Sequence, residues 1–161
     1  MIRKLESSDG ALLQSLLETD QSFFMKVYGH DAASEATNLF YSIPSGVQYE
    51  RKCLIGVFDD GKLIGCLDGV FEHPSDNDAF VGFLFVSQNL RRCGFATSLI
   101  NWFGIEAASR GARRILTSVS ELNEPALDFF KSQNFTIDSV KTDVKLDLVF
   151  SNLYILQKNI V

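Results

Sequence analysis

Apolar and charged residues alternate over Ile2 to Leu5, which predicts a short first strand, and apolar residues then recur at helical spacing at Leu12, Leu13, Leu16 and Leu17. Asp9 stands where it can N-cap that helix. Phe23, Phe24, Val27 and Tyr28 keep the helical spacing, Asp31 is placed to cap a second piece ending near Tyr41, and Ile43-Pro44-Ser45-Gly46 breaks the pattern. Two helical pieces are therefore expected ahead of the main sheet. Cys53 to Phe58 and Leu63 to Phe71 are apolar and β-prone, and Asp59-Asp60-Gly61 between them is turn chemistry, so the pair reads as a hairpin.

Glu72 to Asp78 is polar and holds Pro74, which makes it a loop before the continuous apolar run Ala79 to Val86. Such a run suits a central strand buried on both faces. Leu99, Ile100, Phe103 and Ala107 give one face of a helix from Phe95 to about Arg110, stopped by Gly111. Ile115 to Val119 is a further strand, Asn123 to Gln133 a helix, and Phe135 to Val140 and Leu148 to Leu156 two last strands. The sum is an α+β chain with one strand, loop, helix, strand unit near its middle.

Composition narrows what this chain can be. Its 161 residues, 46% hydrophobic and 22% charged, suit a single domain over 1–161 with a full core, and no repeat or linker composition marks a second one. Cys53, Cys66 and Cys93 form no CxxC pair, and with only His30 and His73 to join them neither a zinc site nor a disulfide framework is expected. The apolar run Ala79 to Val86 is far short of the ~20 residues that span a bilayer, so no membrane association and a cytoplasmic location are expected. The net charge of −5 argues against a nucleic-acid partner.

The segment Arg91-Arg92-Cys93-Gly94-Phe95-Ala96 lies between the most apolar strand and the helix after it. A helix start offers unpaired N–H groups and partial positive charge, so a diphosphate can be held by main chain there, with small residues at Gly94 and Ala96 permitting close approach and the two arginines adding charge. There is no GKS or GKT for a Walker loop and no glycine trio for a dinucleotide fingerprint. Cys93 reads as an incidental loop residue.

At these residues the chain resembles the GNAT superfamily of acyl-CoA-dependent N-acyltransferases, whose signature of Arg or Gln, two residues, Gly, one residue, then Gly or Ala is matched by Arg91, Gly94 and Ala96. A second block, Asn123, Ala126, Phe129 and Phe135, follows the spacing of the family's Asn-x-x-Ala…Phe-Tyr…Gly-Phe segment. The resemblance implies a central mixed, mostly antiparallel twisted sheet of six to seven strands flanked by about four helices. It also implies acetyl-CoA or coenzyme A as cofactor, an amine acceptor as second substrate, and a fold compatible with a homodimer. Carried over by position, the cofactor would meet Phe85 and Val86 on the central strand, Arg91, Arg92, Cys93, Gly94, Phe95, Ala96 and Thr97 at the loop, and Asn123 and Phe130 beyond it. A bulge near Phe85 or Val86 is expected to turn a backbone N–H toward the thioester oxygen.

Two departures stand out: Phe130 replaces the family's Tyr, which removes a proton donor, and Asn134 replaces a Gly, which Asn tolerates by its ease in the left-handed conformation. The acceptor needs a base, and the carboxylates and imidazole nearest the central strand are Asp68, Glu72, His73, Asp76 and Asp78, with Glu72 and His73 favoured as water-relayed bases. Acetyl transfer to a primary amine of a small molecule, peptide or protein is the leading expectation. A non-catalytic coenzyme A-binding module on the same fold is the alternative, and an interaction domain with no ligand is a third.

Overall fold

The computed structural model describes residues 1–160. In chain order it contains β1 (Ile2–Lys4), α1 (Gly10–Leu17), α2 (Gln21–Tyr28), α3 (Glu35–Tyr41), β2 (Lys52–Asp59), β3 (Lys62–Phe71), β4 (Asp78–Val86), α4 (Phe95–Ser109), β5 (Arg114–Ser120), α5 (Glu124–Ser132), β6 (Thr136–Leu146) and β7 (Val149–Asn159). The seven strands join one sheet in the order β1-β2-β3-β4-β5-β7-β6. Every neighbouring pair is antiparallel except β4 and β5, which are parallel and linked through α4.

The expected elements are present, with three differences. Three short helices precede β2, because the chain breaks at Glu18–Asp20 and again after Gly29, which takes φ +81°. Asp9 occupies the cap position of α1, yet its carboxylate is turned to Arg3 and to the N–H of Glu6. Asp31 accepts from the N–H of Ala33, and α3 begins only at Glu35.

Hydrophobic burial drives both faces of the sheet. On one face Leu99, Ile100, Phe103 and Ala107 of α4 and Phe130 of α5 pack on Ile55, Leu67, Val81 and Ile115. On the other, Leu13, Leu16 and Leu17 of α1, Phe24 of α2 and Leu39 and Phe40 of α3 pack on Leu54, Cys66 and Phe85. Gly69 on β3 sets how closely α4 can lie, since a Cβ there would stand 2.5 Å from the Phe103 ring. Leu, Phe and Ile side chains buried in this way contribute roughly 1.5–3 kcal/mol each.

The central strand departs from the expectation of uniform burial. Its ends are buried, whereas Gly82 is exposed and Phe83 and Leu84 are half-buried. Register explains this. Along β3, Asp68 is opposite Phe83 and Gly69 is opposite Val81, so Gly82 is the extra residue of a bulge. The expected bulge near Phe85 or Val86 is thus corrected to Gly82. Its effect on facing is visible in the packing: Ala79, Val81 and Leu84 join the α4 side, while Phe83 and Phe85 join the α1–α3 side.

Candidate active site

The parallel ladder between β4 and β5 runs only from Asp78 opposite Arg114 to Val81 opposite Thr117. Beyond it β4 continues to Val86 and β5 to Ser120 without pairing to each other, so the sheet opens between them along the second half of β4. Side chains fix the ladder at both ends, Thr117 next to the opening and Arg114 with Ser75 at the first pair. Thr117 Oγ1 donates to Val81 O at 2.9 Å, Arg114 grips both oxygens of Asp78 at 3.0 and 3.1 Å, and Ser75 donates to Asp78 Oδ2. Burial disfavours the Asp78 carboxylate, but its bonds from Arg114 and Ser75 outweigh that and hold its pKa below the ordinary value. Asp78 is a strut, not a base.

The start of α4 stands at the open end. Gly94 takes φ +89°, a conformation costly for any residue with a Cβ, and a Cβ built there would meet nothing within 4 Å. The first backbone bond of α4 runs from Ser98 N to Gly94 O, which leaves the N–H groups of Phe95, Ala96 and Thr97 ahead of the helical ladder. These donors, the helix's positive end and the open space over Gly94 make a cradle for a phosphate oxygen. Arg92, exposed and at φ +63°, flanks it with Cys93, whose Sγ lies 3.6 Å from Arg91 O.

Arg91 does something other than supply mobile charge. Its Nε donates to Val86 O at 3.1 Å, its guanidinium pairs with Asp20 Oδ2 at 2.8 Å, and it lies 5.4 Å from the Phe85 ring centre. It therefore ties the loop to the end of β4 and to the N-cap of α2. Burial works against ionisation of Asp20, yet bonds from Ser22, Arg91 and the N–H of Phe23 prevail and lower its pKa. Asp20 was absent from the sequence reading. Only its N-cap character is local; its partner is 71 positions away.

Asn123 N-caps α5, accepting from Ala126 N at 3.4 Å just beyond the end of β5. Phe130 is a correction. Its ring is 3% exposed and makes edge contacts with Phe129 and Phe135 at 5.3 and 5.1 Å, so it is a core side chain with almost no surface for a ligand. Phe85 likewise is buried, packed with Phe23, Phe24 and Phe83, so only main chain at that level can face a cofactor.

Glu72 and His73 lie away from this opening. His73 N donates to Asp78 O, which puts both residues at the start of β4, about 13 Å of strand from Gly82 at ~3.3 Å per residue. Glu72 pairs with Arg51 at 3.2 Å and His73 packs against Phe80. Among the candidate carboxylates Asp68 is the one in register beside the bulge. It is bonded by Lys52 Nζ at 2.7 Å, a lysine the sequence reading did not single out.

The whole is an α+β fold whose sheet opens at a bulged strand and presents a helix N-terminus at the mouth. The sequence profile described as the acetyltransferase (GNAT) family matches residues 13–135. The chain belongs to the GNAT acetyltransferase family, which uses acetyl-CoA.

Solved structures share the fold. A putative GNAT acetyltransferase from Desulfovibrio desulfuricans superposes with TM-score 0.80 at 12% identity, covering 100% of this chain and 99% of its own. An N-acetyltransferase from Staphylococcus aureus Mu50 gives 0.77 at 17%, covering 100% and 98%. An aminoglycoside 6'-N-acetyltransferase complexed with coenzyme A gives 0.74 at 17%, covering 100% and 97%. A search of curated protein sequences finds no significant match. Among the described residues no helix is long and apolar enough to cross a membrane.

Proposed function

We infer that the protein transfers an acetyl group from acetyl-CoA to a primary amine by direct attack on the thioester. The observation that carries this is the opening of the sheet after Val81 and Thr117 with the start of α4 at its mouth. In this reading the pyrophosphate rests on the N–H groups of Phe95, Ala96 and Thr97 over Gly94, with Arg92 beside it and Arg91 bracing the loop from behind. The pantetheine arm lies along the edge of β4 that β5 leaves unpaired, and main chain between Gly82 and Val86 polarises the thioester carbonyl. Asn123 stands across the opening at the end of β5. The departing thiol, with a pKa near ~8.5 if cysteine is the guide, leaves without a side-chain acid.

A readout of ligand-induced stabilisation tests this. Wild-type protein at about 100-fold excess of coenzyme A over Kd should gain roughly 2.7 kcal/mol. Gly94→Val puts branched carbon into the cradle and should lose that increment while remaining folded, the strain at φ +89° lowering its own Tm separately. An undiminished increment in the variant would rule the cradle out.

One observation favours a second reading, a coenzyme A-binding module without turnover: Phe130 supplies no hydroxyl and its ring is sealed in the core. Stabilisation by coenzyme A without acetylation of any amine is the outcome that reading predicts.

A further inference from the structure

The geometry points to Asp68, held by Lys52, as the group that takes the proton from the acceptor amine. This rests on the acetyl-transfer reading above.

Asp68 sits on β3 opposite Leu54 on one side and Phe83 on the other. Directly opposed residues of antiparallel strands share a face, and Leu54 and Phe83 both belong to the α1–α3 side, so Asp68 does too. Phe83 is the residue after the bulge. A Cβ at Gly82 would meet nothing nearer than the Asp68 main-chain carbonyl oxygen at 3.7 Å, so the bulge leaves room along the strand at the level of residue 68.

Its side chain is 13% exposed, and Lys52 beside it 4%. Lys52 Nζ donates to Asp68 Oδ1 at 2.7 Å and to Ser42 O at 2.8 Å, which anchors that oxygen between β2 and the end of α3. Among the described residues no other donor bonds the carboxylate, so Oδ2 keeps its lone pairs for an incoming N–H.

A structural ion pair alone does not need this place or this openness. An Asp in the apolar run Leu63–Phe71 is costly to bury, and the partner that compensates it leaves one oxygen uncommitted beside the strand opening. Burial pushes Asp68 up to about 6, opposed by the attraction and hydrogen bond of Lys52. It is thus ionised at neutral pH and a stronger proton acceptor than an exposed carboxylate. The other titratable groups that sense its charge are the buried thiols of Cys53 and Cys66, which burial pushes upward, Cys53 to about 12, so both stay neutral.

The step balances as follows. The acceptor ammonium gives one proton to Asp68 Oδ2, and the freed lone pair forms an N–C bond to the thioester carbon while the carbonyl π pair moves onto oxygen. Collapse restores C=O and breaks C–S, the pair leaving on sulfur. The thiolate takes a second N–H proton, giving the amide and coenzyme A thiol, and Asp68 returns its proton to solvent.

The experiment uses acetyl-CoA with three amines (ethylamine, 1,4-diaminobutane and a short peptide with a free N-terminus) and, separately, with hydroxylamine, which is largely unprotonated at neutral pH. For wild-type protein with an alkylamine, log kcat/KM should rise with slope one below about pH 6 and level off above it, since the acceptor arrives as the ammonium and only Asp68 must first have lost its proton. A slope of one that continues unbroken from pH 5 to pH 9 would mean that free amine reacts without this base and would overturn the proposal without any variant. Asp68→Asn keeps the shape and the bond to Lys52, and should lower kcat/KM for alkylamine by roughly 10²–10⁴ while lowering it less than tenfold for hydroxylamine. Equal rates in variant and wild type, or equal losses with both nucleophiles, sink the assignment while leaving acetyl transfer intact. If wild type binds coenzyme A and acetylates none of the amines, acetyl transfer itself fails and the assignment fails with it.

Discussion

At Phe130 the neighbours decide what the side chain is for. Its ring fills a slot between Phe129 and Phe135 at the base of α5, and a hydroxyl added at its edge would enter that packed space. Phe130→Tyr should therefore destabilise by about 1–3 kcal/mol, the penalty for a buried hydroxyl without a partner, and leave turnover no higher. Phe130→Ala should cost about 3–5 kcal/mol through the cavity it leaves. Urea midpoints for the two variants, read beside turnover, check both. A turnover gain in Phe130→Tyr at unchanged stability would mean that the ring edge reaches the thioester after all.

Between elements, the bond from Asp20 to Arg91 connects the start of α2 to the loop before α4. Together the two side chains hold the loop against Val86. Asp20→Ala removes an N-cap and one end of this brace, so we expect a loss of about 1–2 kcal/mol and weaker binding of coenzyme A. Burial raises the pKa of Asp20 and its three bonds lower it further, leaving it depressed overall. A depressed folded value means that the contribution is present above the ordinary carboxylate range and is lost as pH falls through the folded value. The stability difference between Asp20→Asn and wild type should therefore shrink on acidification below about pH 4. A difference unchanged down to pH 2 would show that the cap, not the charge, carries the effect.

Across the molecule, His30 joins the loop after α2 to the turn between β6 and β7. Its Nε2 lies 2.6 Å from Asp147 Oδ2, its Nδ1 2.6 Å from Asp31 O, and Leu148 N donates to Tyr28 O beside them. Both ring partners can only accept, so the imidazolium satisfies both while a neutral ring satisfies one. The Asp147 bond, then the Asp31 carbonyl, raise the His30 pKa, with Glu35 3.9 Å away adding attraction and with Tyr28, pushed up to about 12, staying neutral. A raised folded value places the stabilisation below pH ~6.5 and removes it as pH climbs through the folded pKa. His30→Ala should lower Tm most at pH 5–6 and least near pH 9. A Tm difference independent of pH would reduce the contact to packing.

Much of the frame is local information, and local information is legible in one dimension. The hairpin at Asp59-Asp60-Gly61, the apolar stripe of α4, the Asn123 cap with Pro125 after it, and the small residues of the loop before α4 are each set by neighbours within a few positions. Tertiary structure alone decided the rest. The bulge at Gly82 depends on the register between β3 and β4, and the opening depends on where β5 stops following β4. Arg91 is a brace because Asp20 arrives from another element, and Asp68 is singled out among five candidates because Lys52 and the bulge converge on it. Glu72 and His73 are close to the central strand in sequence but stand at its other end, a separation that the strand's course sets. Burial, pairing and proton affinity are properties of groups brought together, and the chain order does not contain the distances that set them.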